Sequence, residues 1–209
     1  MIRFEPCTPD HCQARVDLAG FRSILDENDY FGERKVLSYF KNHPSLIPFI
    51  PASVNGILRK DRYAHELNLF GTLKCDFAVG DSTSGAYCFI EFEDARQNSI
   101  FRISDRHLKE WSPRLEHAYS QVIDWFWQLD SSNHASQFQD MFGTQNILPT
   151  GMIVLGRNET LTPSEKNRLK YRKTKISIGG YQIILLTYDD LYDDINWQVN
   201  DLSNVRRSA

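Results

Sequence analysis

The stretch from Ala86 to Asp94 constrains the fold most, because an apolar and aromatic run ends there in three acids. Such a run is typical of a central strand. Side chains alternate along a strand, so Glu91 and Glu93 face one side of the sheet while Ile90 and Phe92 face the other. Burying unpaired carboxylates is costly. The stretch therefore predicts that a cation, most simply a divalent metal ion, binds where the strand ends.

Two further acids lie on predicted core elements. Asp76 interrupts the strand-like run from Leu73 to Val79, where an acid is expensive unless it is paired or bound to a metal. The loop over residues 80–85 returns the chain as the Ala86 strand, so a hairpin brings Asp76 close to Glu91. Glu33 falls in the core-facing arc of a predicted helix, although a single helical acid more often reaches water. Mg²⁺ prefers such oxygen ligands, and the carbonyl of Phe92 is a further candidate.

Length and composition favour one main domain. The chain has 209 residues, of which 41% are hydrophobic and 24% charged. We expect that domain over residues 29–195, with an N-terminal extension (1–28) and a C-terminal tail (196–209) that frays. No stretch reaches the ~20 apolar residues of a membrane span, and the N-terminus lacks a signal pattern. A cytoplasmic protein with no membrane partner is therefore expected, and the net charge of −3 gives no global bias toward nucleic acid.

The order of predicted elements indicates an α/β domain with a central mixed sheet flanked by helices. The predicted helices run over Tyr30–Asn42 after a cap at Asn28 or Asp29, from the Ser112-Pro113 cap, from the Thr162 capping box, and through the acids from Asp189 onward. The predicted strands are Leu67–Phe70, Leu73–Val79, Ala86–Asp94, Gly151–Leu155 and Tyr181–Thr187. Residues 44–63 and the segment Ser131–Thr150 are expected to be irregular.

The helix after Thr162 carries six basic residues and no acid between them. Such a run is usually a solvated face, but it is also typical of a surface that contacts phosphates. The candidate phosphate-binding residues are Arg157, Lys166, Arg168, Lys170, Arg172 and Lys173.

Taken together, these residues resemble the PD-(D/E)xK nucleases, in which an acid precedes a Glu-x-Lys strand. Here the pattern reads Cys75-Asp76 and then Glu91-Phe92-Glu93. More specifically, the chain is similar to the Shedu nuclease domain of bacterial antiphage defence over about Tyr30 to Ile195. The segments that carry this similarity are Phe40-Lys41-Asn42-His43-Pro44, Asp76-Phe77, Val154-Leu155-Gly156-Arg157, the proline-capped basic helix and Thr187-Tyr188-Asp189-Asp190-Leu191.

The resemblance implies a restriction-endonuclease-like core, a DNA substrate, Mg²⁺ (or Mn²⁺) as cofactor, and self-assembly into dimers or tetramers. It implies that Asp76 and Glu91 hold the metal, that Glu33 supports it, and that Gln121 orients the site. Two positions depart from the family pattern: Cys75 replaces a proline, and Glu93 replaces the lysine. A glutamate supplies no positive charge, but it can bind a second metal or act as a general base.

Three functions stay open from the sequence. The first is a Mg²⁺-dependent DNA endonuclease in which water is activated between Glu91 and Glu93. The second is a nucleic-acid-binding or regulatory module that has lost cleavage, which the glutamate at position 93 favours. The third is an interaction domain in which the acids pair with arginines such as Arg96 or Arg102.

Overall fold

The computed structural model describes residues 4–28, 30–71, 73–103 and 108–201, which form a seven-stranded mixed sheet covered by helices on both faces. The strands are β1 (Glu5–Pro6), β2 (Arg62–Asn68), β3 (Lys74–Asp81), β4 (Ala86–Phe92), β5 (Leu148–Val154), β6 (Ser177–Ile178) and β7 (Tyr181–Leu186). The helices are α1 (His11–Glu27), α2 (Glu33–Asn42), α3 (Pro113–Ser132), α4 (Ser136–Phe142), α5 (Pro163–Lys175) and α6 (Tyr188–Asn196), with a 3₁₀ helix (Pro44–Phe49) and a π-helical turn (Trp197–Asp201).

The sheet has the order β1-β2-β3-β4-β5-β7-β6. Its first half is an antiparallel meander, in which β3 and β4 form the predicted hairpin. Its second half pairs β4, β5 and β7 in parallel, with helices in the crossovers. The predicted α/β class and mixed sheet are confirmed, while the restriction-endonuclease-like core stays a prediction.

Side-chain alternation along β4 divides the hydrophobic core into two layers. Cys88, Ile90 and Phe92 pack with α1, α2, the 3₁₀ helix and α6. Tyr87 and Phe89 pack on the opposite face with α3, α4 and α5. Because the alternation continues to the strand end, it directs Glu91 toward the face that α3 covers.

Helix α3 lies unusually close to the sheet. A Cβ atom on Gly151 of β5 would stand 2.3 Å from Cγ1 of Val122 and 3.2 Å from the ring of Phe126. Only glycine allows this approach, which fixes the depth of α3 over the strands. The helix begins as predicted, with Ser112 accepting a hydrogen bond from the Leu115 N–H and proline at the first position.

The N-terminal half differs from the sequence prediction at three places. The segment predicted as an N-terminal extension forms helix α1, which Asp10 caps and which buries Phe21 in the same core as β4. Helix α2 starts at Glu33, because Phe31 instead pairs with Ala95 as an isolated bridge. The segment predicted to be irregular contains the 3₁₀ helix and the start of β2. Asp29, one of the proposed caps, lies outside the described residues.

Two predictions about the C-terminal half were also wrong. The expected polar connection contains α4, whose Phe138 and Phe142 lie one turn apart and are buried. The expected fraying tail begins with the π-helical turn, in which Gln198 and Val199 are buried. Residues 202–209 lie outside the described part of the chain.

No helix in the described ranges is both long and apolar enough to cross a membrane.

Candidate active site

The site begins where β3 and β4 separate. Their ladder runs from the Asp81–Ala86 pair to the Phe77–Ile90 pair and then stops. At the next position, Oδ2 of Asp76 accepts a hydrogen bond from the Phe92 N–H at 2.7 Å. The carboxylate thus replaces a main-chain acceptor at the point of separation, which holds it beside the end of β4.

Asp76 and Glu91 form a partly buried acidic pair. Burial is the main cause that raises the pKa of Glu91 to about 9, and the charges of Asp76 and Glu93 raise it further, against a hydrogen bond from Gln121. Burial also raises the pKa of Asp76 to about 7, against the Phe92 N–H and with the charges of Glu33 and Glu93. Neither carboxylate forms an ion pair within the described ranges. The pair therefore lacks an electrostatic complement.

Glu33 joins this cluster from the first turn of α2. The bridge between Phe31 and Ala95, with the Ala95 N–H donating to the Phe31 carbonyl at 2.9 Å, ties the start of α2 to the end of β4. The charge of Glu33 consequently raises the pKa of Asp76, Glu91 and Glu93. The charges of the four predicted acids thus act on one another, and Gln121 hydrogen-bonds Glu91.

Glu93 differs from the other acids because it has a cationic partner. Nη1 of Arg114 lies 2.8 Å from its Oε2, and Nε of the same arginine lies 3.3 Å from Asp94. Burial still raises the pKa of Glu93, with Arg114 opposing the rise. The arginines considered from the sequence bind elsewhere: Arg96 pairs with Asp94 and Arg102 pairs with Glu110.

The donor chemistry of the site fits a hard divalent cation in part. Mg²⁺ binds to carboxylate oxygens such as those of Asp76 and Glu91, which pair with no cation among the described residues, and it completes its shell with water and phosphate oxygens. Within the described ranges, however, no three His, Cys, Asp or Glu side chains are grouped closely enough to hold a metal. Asp76 and Glu91 are thus the donors that a metal would use, with Glu93 occupied by Arg114.

The structure divides the predicted basic surface of α5. Lys166 and Lys170 are exposed, with no ion pair among the described residues. Arg172 instead binds Glu116 through both terminal nitrogens, at 2.6 and 3.1 Å, and Lys173 pairs with Asp190. Arg168 donates to the Lys109 carbonyl at 2.6 Å. Three of the five candidate phosphate-binding residues on α5 are therefore already used within the protein.

The arginines of α5 also stack on aromatic rings. The guanidinium of Arg168 lies 4.9 Å from the ring centres of Phe101 and of Trp111, and that of Arg172 lies over Trp111 and Tyr119. These contacts attach the segment after β4 to α5. They explain why these arginines are needed for packing as well as for charge.

Arg157 is buried, at 2% exposure. Its Nε donates to Asp189 at 3.0 Å, and its Nη1 donates to the main-chain carbonyls of Leu25 and Asn28. In this position it joins α1, the end of β5 and α6. We therefore do not include Arg157 in the phosphate-binding surface proposed below.

Sequence reasoning missed three groups around the end of β4. Arg114 is the cation beside Glu93, Asp94 holds both Arg114 and the hydroxyl of Ser99, and the buried Tyr188 hydroxyl donates to the Glu93 carbonyl. A signal existed for Arg114, because a cation in the first turn of a helix opposes the helix dipole. No local pattern points to Tyr188, which lies 95 positions from Glu93.

A cavity of about 450 Å³ lies away from these acids and shares no residue with them. It is lined by Phe4, Pro6, Asp61, Arg62, Asp140 and Met141.

Comparison with known proteins assigns the family. No curated protein matches the chain. Residues 32–192, which include the four acids, Gln121, Arg114 and α5, match the family model described as the C-terminal part of the Shedu protein SduA. This match covers most of the chain, so the protein belongs to the Shedu SduA C-terminal family.

Proposed function

We propose that the protein is a metal-dependent DNA endonuclease that hydrolyses phosphodiester bonds with Mg²⁺ or Mn²⁺. The observation that carries this proposal is the Asp76–Glu91 pair, which is partly buried and has no cationic partner among the described residues. Membership of the Shedu family indicates a defence-related role. The finer proposal, antiphage defence by DNA cleavage, rests on the nuclease-like pattern of the acids.

Each residue of the cluster has a role in this proposal. Asp76 and Glu91 would hold the metal, and the Phe92 carbonyl is a further candidate donor. Gln121 donates a hydrogen bond to Glu91, which favours the charged form of that carboxylate. Glu33 adds negative charge that strengthens the attraction for a cation. A metal bound here would lower the pKa of its bound water and would offset negative charge on the phosphate.

The reaction forms one phosphorus–oxygen bond and breaks another. The oxygen of water attacks phosphorus, the bond from phosphorus to one sugar oxygen breaks, and the phosphate keeps its charge. Water loses one proton and the departing sugar oxygen gains one, so no further reactant is needed. The protein places the phosphodiester beside Asp76 and Glu91 and holds these two acids close together despite their mutual repulsion.

The proposed DNA-binding surface is the exposed side of α5 around Lys166 and Lys170. It connects to the acid cluster through the first turn of α3, because Arg172 of α5 binds Glu116, two residues after Arg114. Tyr171, at 69% exposure, adds a ring on which a base can stack. We expect the protein to act as a dimer or tetramer, which the solution mass tests.

Cleavage assays test the proposal directly. Plasmid and single-stranded DNA are incubated with the purified protein in Mg²⁺, Mn²⁺ or EDTA. We compare the wild type with Glu91→Gln, which preserves side-chain size, and with Glu27→Gln, an exposed acid at the end of α1. The proposal requires metal-dependent cutting that Glu91→Gln lowers by at least ~10³-fold and Glu27→Gln leaves unchanged. Cutting that persists in EDTA or in Glu91→Gln contradicts it.

A second candidate function is a DNA-binding module that does not cleave. It is favoured by Glu93, which stands where the resembling nucleases have lysine, and whose carboxylate is already paired with Arg114. This function predicts salt-sensitive DNA binding in EDTA and no cutting with any metal. Cleavage by the wild type excludes it.

A further inference from the structure

Arg114 occupies a position that local helix physics disfavours. It is the second residue of the 20-residue helix α3, after Pro113. A cation near a helix N-terminus opposes the helix dipole, at a cost of roughly 0.3–1 kcal/mol. The same turn contains Glu116, which has the favourable sign. The reason for an arginine at this position therefore lies in its contacts outside the helix.

Those contacts connect Arg114 to the acid cluster. Its Nη1 binds Glu93 and its Nε binds Asp94, and both carboxylates are buried, with side-chain exposures of 7% and 4%. The arginine side chain itself is 42% exposed. Its remaining terminal nitrogen, Nη2, forms no hydrogen bond among the described residues. Two nitrogens of the guanidinium are thus held by buried acids, while Nη2 has no partner among the described residues and is available to an anion.

Contacts fix both the main chain and the carboxylate of Glu93, unlike those of a side chain that is free to bind a metal or to accept a proton. Its N–H donates to the Val154 carbonyl at 2.9 Å, and its carbonyl accepts from the buried Tyr188 hydroxyl. Its carboxylate is occupied by Arg114. Asp94 is fixed in the same way, since Ser99 donates to it at 2.5 Å and Arg96 lies at 3.2 Å. These residues form a rigid support for the guanidinium.

We propose that Arg114 is a catalytic residue that binds the reacting phosphate, and that Glu93 is the positioning residue that holds Arg114. Arg114 on α3 then supplies the positive charge that the lysine of the family pattern would provide at position 93. The inference rests on the proposed nuclease function and deepens it. It also changes the expected role of Glu93, from metal ligand or base to support for the guanidinium. A fixed donor aimed at developing negative charge accelerates such a reaction by roughly 10²–10³-fold.

A double-mutant cycle tests this division of roles. The variants are Arg114→Gln, Glu93→Gln, their combination, and the exchange Glu93→Arg with Arg114→Glu. Arg22→Gln is the matched control, because Arg22 forms an ion pair of similar length, 2.7 Å, and similar exposure, 48%, on α1. The measurements are single-turnover DNA cleavage, Mn²⁺ affinity by electron paramagnetic resonance, DNA affinity in EDTA as a function of salt, and melting temperature.

We expect Arg114→Gln to lower the cleavage rate about 10²-fold or more while Mn²⁺ affinity stays within about threefold of the wild type. Glu93→Gln lowers the rate less, because the arginine is still present. The double variant is no slower than Arg114→Gln, since the two residues act as one unit. The exchange variant recovers part of the lost rate, which a purely structural pair does not do.

Three results overturn the inference. One is Arg114→Gln cleaving within about threefold of the wild type. Another is Glu93→Gln losing both cleavage and Mn²⁺ binding, which makes Glu93 a metal ligand. The third concerns the case in which the wild type does not cut DNA at all, so that the proposed nuclease function itself has failed. In that case the DNA affinities measured in EDTA decide. If Arg114 contacts a phosphate, the slope of log affinity against log salt is smaller by about one in Arg114→Gln than in the wild type, and an unchanged slope refutes the contact.

Discussion

Replacing Asp76 by asparagine removes one charge from the acid cluster and keeps an oxygen that accepts the Phe92 N–H. The pKa of Asp76 rises from 3.8 to about 7 in the folded protein, mainly through burial, although the Phe92 N–H opposes this. In the unfolded chain the group titrates near ~3.9. The folded state therefore binds the proton more tightly. The contribution of Asp76 to the free energy of unfolding is therefore fully present below about pH 4, and it is lost as the pH rises through about 7.

The size of the effect follows from this difference. About three pH units correspond to ~4 kcal/mol, at ~1.4 kcal/mol for each unit. Asparagine, however, is also a polar group in this partly buried position and accepts the Phe92 N–H more weakly than a carboxylate does, which offsets part of the gain. We therefore expect about half of that value, ~2 kcal/mol, as the gain in unfolding free energy of Asp76→Asn at pH 8. The corresponding rise in melting temperature is roughly 4–8 °C.

Urea unfolding followed by circular dichroism, at pH 4, 6 and 8 in EDTA, measures this gain. It should vanish near pH 4 and grow toward pH 8. Asp81→Asn is the control with opposite sign, because the pKa of Asp81 is lowered by four main-chain N–H groups despite burial. If Asp76→Asn is destabilising at pH 8, the hydrogen bond to Phe92 outweighs the repulsion and the reasoning is refuted. Mg²⁺ added at pH 8 should stabilise the wild type more than the variant.

Two further predictions concern the cations. Arg157→Met removes the cation beside Asp189 and the donor to two main-chain carbonyls, although Asp189 keeps the Asn158 N–H, so we expect a loss of about 3 kcal/mol in unfolding free energy. Denaturant unfolding measures it, and unchanged stability contradicts the structural role. The pair Lys166→Gln and Lys170→Gln should lower DNA affinity and reduce the slope of log affinity against log salt by about two. Lys35→Gln on α2 is the control for the lysine pair, and equal slopes in both proteins would exclude α5 from the DNA contact.

The acid cluster was predictable because its parts are close in sequence or on regular elements. Asp76 and Glu91 belong to one hairpin, and alternation along β4 already directs Glu91 to one face. The position of Glu33 depended on the bridge between Phe31 and Ala95, which no local pattern indicates. Its inclusion came from its place in the core-facing arc of the predicted helix, which the family resemblance then supported.

The cations were harder to place because their partners are distant in sequence. The prediction of a phosphate-contacting face assumed that all basic residues of α5 reach water. Trp111, Tyr119 and Glu116 lie about 50 or more positions before the arginines that they hold. The same limitation hid α4, since two phenylalanines in a polar segment form too short a pattern to predict a helix.

Strand β4 pairs antiparallel with β3 on one side and parallel with β5 on the other. The residues of the site therefore come from segments that are near one another in sequence and from segments that are far apart. The acids Asp76 and Glu91 meet through a short hairpin connection, whereas Gln121 and Arg114 arrive on the crossover helix between β4 and β5. Local contacts form faster than distant ones. We therefore expect the repelling carboxylates to approach each other during folding before the groups that support them are in place. Divalent cations present at that stage should accelerate refolding, and not only stabilise its product.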